Sequence, residues 1–172
     1  KLTRTSKKYD LQSEITSFVS IDGTTEIQLI KITNLSEEEQ KVTPIVAIPV
    51  YGRSADNIRD HRHVTSLLHR IDTKECGVEV TPVLSFDERG HQKNDTTYFV
   101  YGFTAEGNAP KEFYPTVESF IGEGGSFLIP EAVRVEKTGC TAGCHLEGKE
   151  AVGAFRFERR KLKANESIEY VV

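Results

Sequence analysis

The feature that most constrains this chain is the alternation of apolar and polar residues in short runs separated by polar turns. Thr25–Ile32 reads Thr-Glu-Ile-Gln-Leu-Ile-Lys-Ile, and Gly77–Phe86 and Thr97–Phe103 alternate in the same way. Because successive side chains of a strand point to opposite faces, this period predicts half-buried β-strands. Further strands are predicted over Tyr9–Ile21, Val42–Val50, Val152–Leu162 and Ser167–Val172, the last two as a closing hairpin.

Helix signals are sparse by comparison. Apolar residues recur at helical spacing within Asn57–Arg70, and Val117–Ile121 can form a single turn. The glycine-rich Gly122–Ser126 predicts a turn, and Phe127–Pro130 reads as a strand. Roughly eight short strands with polar turns predict an all-β fold, an antiparallel β-sandwich with few short helices. We expect residues 1–172 to form one such domain.

Composition narrows the class of protein. The chain has 172 residues, 37% of them hydrophobic, and its net charge of −4 argues against nucleic acid and against an anionic membrane as partners. The longest apolar run, Ile45–Val50, is far shorter than a membrane span. Because the chain contains no Met and begins with Lys1, we expect it to be a piece of a larger multidomain enzyme.

The three cysteines, Cys76, Cys140 and Cys144, are too few and odd in number for a disulfide scaffold. A reducing, cytoplasmic compartment fits this usage. Cys140 and Cys144 lack the Cys-x-x-Cys spacing of a redox motif, so we take them as incidental thiols. A zinc site and a reversible disulfide remain as alternatives.

One polar segment directly follows the most apolar strand, and it carries the candidate site residues. They are Arg53, Asp56, Arg59, Asp60, His61, Arg62 and His63. Arginine and histidine donors beside aspartate acceptors suit sugar hydroxyls or an anion such as phosphate. An ordinary surface loop, or a loop that docks a neighbouring domain, is the alternative interpretation.

Catalytic and metal chemistry find less support in this segment. His61 and His63 would share one face of a strand, but no third metal ligand stands at a diagnostic spacing, so no metal is predicted. Asp56 and Asp60 could pair as in glycoside chemistry. The arginines around them would keep both ionised, which is unsuited to an acid role. No catalytic residue is therefore assigned.

The Tyr51–Leu68 stretch resembles the N-terminal β-sandwich region of glycoside hydrolase family 94, the cellobiose-phosphorylase-like enzymes formerly called glycosyltransferase family 36. Shorter segments that also resemble this family are Glu26–Ser36, Ser119–Gly122 with Pro130–Val133, and Ala154–Phe157 with Leu162–Ser167. Within the family the chain looks most like the enzymes acting on β-1,2-linked gluco-oligosaccharides.

The resemblance implies a galactose-mutarotase-like supersandwich that carries no catalytic residue. In such enzymes a following helical (α/α) barrel domain supplies the general acid and the phosphate-binding groups. The parent enzyme would phosphorolyse β-glucosides, with inorganic phosphate as co-substrate and no other cofactor, releasing a sugar 1-phosphate with inversion. The expected partners are an oligosaccharide (β-glucan), the barrel domain and a second copy in a homodimer.

Two alternative functions remain. A stand-alone carbohydrate-binding module would present planar aromatics to sugar faces, and Tyr51 and Tyr114 are the candidate platforms. A small enzyme would use Asp56 with Asp60 and His61 with His63, and it would show turnover without any other domain.

Overall fold

The computed structural model of the chain describes residues 1–52, 65–87 and 90–172. Strand accounts for 51% of these residues and helix for 7%. The predicted all-β, antiparallel fold class is therefore confirmed, because every strand pair has antiparallel register.

The described residues form sixteen strands and two short helices. The strands are β1 (Leu2–Ser6), β2 (Leu11–Val19), β3 (Glu26–Asn34), β4 (Gln40–Val42), β5 (Ile45–Pro49), β6 (His69–Lys74), β7 (Gly77–Pro82), β8 (Leu84–Asp87), β9 (Gly90–Lys93), β10 (Tyr98–Tyr101), β11 (Phe103–Thr104), β12 (Glu112–Thr116), β13 (His145–Glu147), β14 (Ala151–Arg156), β15 (Arg160–Leu162) and β16 (Ser167–Val171). The helices are α1 (Val117–Ile121) and α2 (Glu131–Arg134).

These elements divide into two units. Unit 1 comprises Lys1–Pro44, Gly102–Ala109 and Glu158–Val172, and unit 2 comprises Ile45–Tyr101 and Pro110–Phe157. Each unit is therefore assembled from segments that are distant in the sequence.

Unit 1 is built on a five-stranded sheet with the order β1-β2-β3-β16-β11, and β15 pairs with β4 beside it. Ile30 in β3 lies opposite Ile15 of β2 and Tyr170 of β16, which places these side chains on one face. Asn34 ends β3 and is fully buried. Its Nδ2 donates to the carbonyl oxygens of Glu38 at 2.7 Å and Leu162 at 3.1 Å, which fixes the turn that follows.

Unit 2 contains a four-stranded sheet, β10-β7-β6-β13, a three-stranded sheet, β12-β14-β5, and the β8–β9 hairpin. The central strands β7 and β14 carry several of its fully buried residues, among them Val78, Val80, Val152 and Phe155. Gly153 lies so close to β10 that a Cβ atom there would meet Cβ of Val100 at 2.3 Å. Glycine is therefore required where these strands approach each other.

The predicted turn at Val117–Ile121 is α1. Its start is fixed by a capping box, in which the Thr116 hydroxyl accepts from the Ser119 backbone N–H at 3.1 Å and the Ser119 hydroxyl accepts from Thr116 at the same distance. Gly122 ends the helix with a φ of 82°, a conformation that glycine adopts without strain. Phe120 is buried and packs on Tyr114 with ring centroids 6.0 Å apart.

Several predicted element boundaries were wrong. Val152–Leu162 does not form a hairpin arm with Ser167–Val172, because its first part is β14 in unit 2 and its last part is β15 in unit 1. Val42–Val50 is split into β4 and β5 at Pro44, which cannot donate a ladder hydrogen bond. Phe127–Pro130 forms a turn with a single bridge between Ser126 and Ile129.

The predicted helix over Asn57–Arg70 is also corrected at its end. Thr65 and Ser66 are helical, but Leu67 and Leu68 form a turn and β6 begins at His69. Ile71 and Thr73 of β6 are buried with His69, which is the period of a strand with one inward face.

Candidate functional site

The predicted site residues Arg53, Asp56, Arg59, Asp60, His61, Arg62 and His63 lie outside the described residues. The chain is described on both sides of them, at Tyr51–Gly52 and at Thr65–Ser66. Both flanks contribute to one cavity in unit 2, which makes that cavity the candidate site.

The cavity is small and mostly apolar. Its lining residues are Pro49, Val50, Tyr51, Ser66, His69, Val117, Phe127, Glu150 and Ala151. The space open to the centre of a water molecule is about 20 Å³. Because one water needs roughly 10–15 Å³ by this measure, the closed part of the cavity admits one hydroxyl group or one water and not a whole sugar ring.

Two exposed aromatic side chains border this cavity. Tyr51 is 54% exposed and Phe127 is 45% exposed. Phe127 is held in place by the buried ring of Phe120, with centroids 6.0 Å apart. Exposed aromatic rings beside a cavity with a few polar groups in its wall suit a sugar, because its C–H face packs on an aromatic ring while its hydroxyls form hydrogen bonds.

His69 is the buried polar residue of the cavity wall, with an exposed fraction of only 3%. Its Nδ1 lies 3.3 Å from the backbone carbonyl oxygen of Lys149, and no group within the described ranges has hydrogen-bond geometry to its buried Nε2. Burial lowers the pKa of His69, while the nearby carbonyls of Lys149 and Gly52 act in the opposite direction. We therefore infer a neutral ring whose Nδ1–H donates to the carbonyl of Lys149.

Gly52 closes over this histidine. A Cβ atom at position 52 would lie 2.9 Å from Cγ of Pro82 and 3.3 Å from Nε2 of His69. Glycine is therefore needed for the chain to pass this close to the imidazole. The Tyr51–Gly52 pair fixes the point at which the predicted polar segment begins.

The described wall of the cavity carries a negative group and no cation. Glu150 is its one charged residue among the described positions, since the pKa of His69 is lowered.

A second polar cluster lies on the surface of the β6–β13 pair. His145 Nδ1 lies 2.8 Å from Oδ1 of Asp72, and its Nε2 lies 3.3 Å from Oε1 of Glu147. Hydrogen bonds to Asp72 and then to Glu147 raise the pKa of His145. In the described ranges, no group of three or more His, Cys, Asp or Glu side chains is arranged to hold a metal ion.

Sequence reasoning identified only part of this site. Tyr114 is wrong as a sugar platform, because it is 1% exposed and its hydroxyl donates to the carbonyl of Lys137 at 2.6 Å. Tyr51 is exposed as a platform must be. Phe127 and Glu150 were missed, because no local pattern shows that they lie beside Tyr51. The described helices include none long and apolar enough to cross a membrane.

Comparison with known proteins agrees with the architecture. The model of the family described as "Glycosyl hydrolase 94, supersandwich domain" matches residues 2–172. A search of curated proteins finds no match to the chain.

Proposed function

Because this chain belongs to the glycosyl hydrolase 94 supersandwich family, we propose that it is the non-catalytic β-sandwich domain of a glycoside phosphorylase. The parent enzyme phosphorolyses β-glucosides to a sugar 1-phosphate, with inorganic phosphate as co-substrate. A following helical barrel domain supplies the acid and binds the phosphate. The supersandwich supports that barrel, extends its substrate cleft and contributes to a homodimer in the cytoplasm.

The observation that carries this proposal is the family match over residues 2–172. The described residues agree with it, since helix makes up 7% of them and a helical barrel is not among their elements.

The cavity and the polar segment are the proposed contact with the oligosaccharide. Tyr51 and Phe127 would pack on a glucosyl ring, and one hydroxyl would enter the space between them. Arg53 would donate hydrogen bonds to neighbouring hydroxyls, and His61 would donate to them or accept from them. The preference for β-1,2 linkages is part of the same proposal.

The test is calorimetry and turnover on two samples, this chain alone and the chain joined to its barrel domain. Both are titrated with β-1,2- and β-1,4-linked gluco-oligosaccharides, with and without phosphate. We expect phosphate-dependent turnover only with the barrel, and Arg53→Ala or His61→Ala to lower kcat/KM about tenfold, the loss of one good hydrogen bond. Arg4→Ala, on β1 of unit 1, is the matched control and leaves kcat/KM unchanged.

Turnover by the isolated chain would refute the non-catalytic role. It would favour the alternative hypothesis that this chain is itself a small enzyme. A barrel-joined protein that hydrolyses the glycoside without consuming phosphate would refute the phosphorylase proposal.

A carbohydrate-binding module is the second candidate, and the exposed pair Tyr51 and Phe127 favours it. It predicts measurable heat when the isolated chain meets a gluco-oligosaccharide, and loss of that heat in Tyr51→Ala. The scaffold role predicts no heat from the isolated chain, so this single titration separates the two.

A further inference from the structure

The loop Cys140–Cys144 connects two sheets of unit 2. Cys140 exchanges two backbone hydrogen bonds of 2.9 Å with Phe113 of β12. At the other end, the carbonyl of Cys144 accepts from the Thr73 N–H of β6 at 3.0 Å, and the Gly143 N–H donates to the Thr73 carbonyl at 2.9 Å. Both cysteine backbones are therefore fixed by different strands.

Between these anchors the chain turns back on itself. Gly143 has a φ of 93°, a conformation open to glycine, and it reverses the chain before Cys144. The Thr73 hydroxyl donates to the carbonyl of Thr141 at 2.9 Å and accepts from the backbone N–H of Cys144 at 2.9 Å. This hydroxyl therefore holds the middle and the end of the loop against β6.

The turn brings the two thiols together. The side chain of Cys144 is close enough to raise the pKa of the Cys140 thiol, and the Thr73 side chain acts on that pKa in the opposite direction. Both cysteines are partly exposed, so a small oxidant can reach them. The third cysteine, Cys76, lies at the β6–β7 turn and is a built-in reference thiol.

We propose that Cys140 and Cys144 are a reversible dithiol–disulfide pair whose oxidant is a hydroperoxide such as hydrogen peroxide. The pairing is independent of the proposed carbohydrate function.

The oxidation proceeds in two balanced steps. The Cys144 thiolate attacks one peroxide oxygen, the O–O bond breaks, and the hydroxide released takes up the proton lost from the thiol, which leaves Cys144 sulfenic acid and water. The Cys140 sulfur then attacks the Cys144 sulfur, the S–OH bond breaks, and the hydroxide leaves as water with the Cys140 proton. Two thiols and one peroxide thus give one disulfide and two waters.

Cys140 is the second thiol to react. Burial, and then the Cys144 side chain, raise the pKa of Cys140, so its thiolate forms less readily than that of an ordinary cysteine. A protonated thiol is a poor first nucleophile, which leaves the first attack to Cys144.

The primary test is peptide mapping of the full chain after treatment with hydrogen peroxide. Cys140 and Cys144 fall in one tryptic peptide, Thr138–Lys149, while Cys76 falls in a separate one, Glu75–Arg89. After peroxide treatment, we expect the mass of the first peptide to fall by two hydrogens and its cysteines to resist alkylation. Dithiothreitol should restore the original mass and make both cysteines alkylatable again. Cys76 should still be alkylated.

Variants identify the order of reaction. In Cys140→Ser, dimedone should trap a sulfenic acid on Cys144, whereas in Cys144→Ser the remaining Cys140 should react much more slowly. Cys76→Ser is the control and should oxidise like the unmodified chain. Closing this short loop should also raise Tm by about 4–8 °C on the chain-entropy estimate.

Three results would overturn the proposal. The Thr138–Lys149 peptide could remain alkylatable at every peroxide dose, it could accumulate sulfonic acid without a disulfide, or Cys76 could be the partner in the bond that forms.

Discussion

Arg156 makes the most informative single substitution, because its charge is held inside unit 2. The side chain is 13% exposed. Its guanidinium donates to Oε2 of Glu112 at 3.0 Å, to the carbonyl of Ala132 at 2.7 Å and to that of Lys137 at 3.2 Å. It also lies over the Tyr114 ring at 5.4 Å from the centroid. One side chain thus ties β14 to β12 and to α2.

The cost of Arg156→Met follows from these contacts. Methionine keeps the apolar stem against Tyr114 but removes three charge-assisted hydrogen bonds. Each such bond contributes about 1.5–3 kcal/mol. The side chain of Glu112 is 28% exposed, so water can replace part of the hydrogen bonding that it loses with Arg156. The carbonyl of Lys137 also keeps a donor, because the Tyr114 hydroxyl still donates to it. We expect a loss of about 3 kcal/mol in the free energy of unfolding.

Urea unfolding followed by far-UV circular dichroism measures this loss. At about 2–4 °C per kcal/mol for a chain of this size, Tm should fall by roughly 6–12 °C. The matched control is Arg70→Met, since Arg70 forms a 3.5 Å ion pair with Glu147 and both side chains are more than half exposed. That substitution should cost less than about 0.5 kcal/mol. Equal losses in the two variants, or a loss below about 1 kcal/mol for Arg156→Met, would refute the reasoning.

The remaining predictions concern Asn34 and two histidines. Asn34→Ala removes donors to the carbonyls of Glu38 and Leu162 at a fully buried position, so it should cost about 2–4 kcal/mol in urea unfolding, and a change under about 1 kcal/mol would contradict this. Burial lowers the pKa of His69 below 6.5. As the pH falls, the unfolded chain therefore binds a proton at this residue before the folded chain does. The free energy of unfolding should decrease below pH 6.5, by at most about 1.4 kcal/mol per pH unit. His69→Gln should remove that part of the slope; an unchanged slope would refute it. The pKa of His145 is raised, so its contribution is present below pH 6.5 and is lost as pH rises through its folded pKa; nuclear magnetic resonance titration should show a pKa above 6.5, and a lower value would contradict the ion pair.

Local alternation predicted some of the strands, but it missed β6, whose buried and exposed residues alternate. β3 (Glu26–Asn34) was predicted over Thr25–Ile32 because apolar and polar residue types largely alternate there. Glu112–Thr116 was missed because it is almost wholly buried, so no alternation marks it. The break near Pro44 follows from the missing N–H of proline, which is a property of the residue itself.

Strand partners could not be predicted in this way. Val152–Leu162 and Ser167–Val172 are neighbours in sequence, yet β14 pairs with β12 and β5 while β16 pairs with β3 and β11. A strand selects the partner that best buries its apolar face, and that partner can lie a hundred residues away. The two units illustrate this, because each is formed from separated segments.

Part of the candidate site could likewise be predicted from local sequence, and part depends on contacts between distant residues. The sequence by itself determined the all-β class, the family resemblance and the concentration of arginine and histidine after Tyr51, because these depend on residue type and spacing along the chain. Only the tertiary structure brought His69, Phe127 and Glu150 to Tyr51. It also placed Cys140 and Cys144 beside Thr73, whose hydroxyl accepts from the Cys144 backbone N–H. Such contacts arise when sheets pack, and packing is decided by the burial of whole faces rather than by any local pattern.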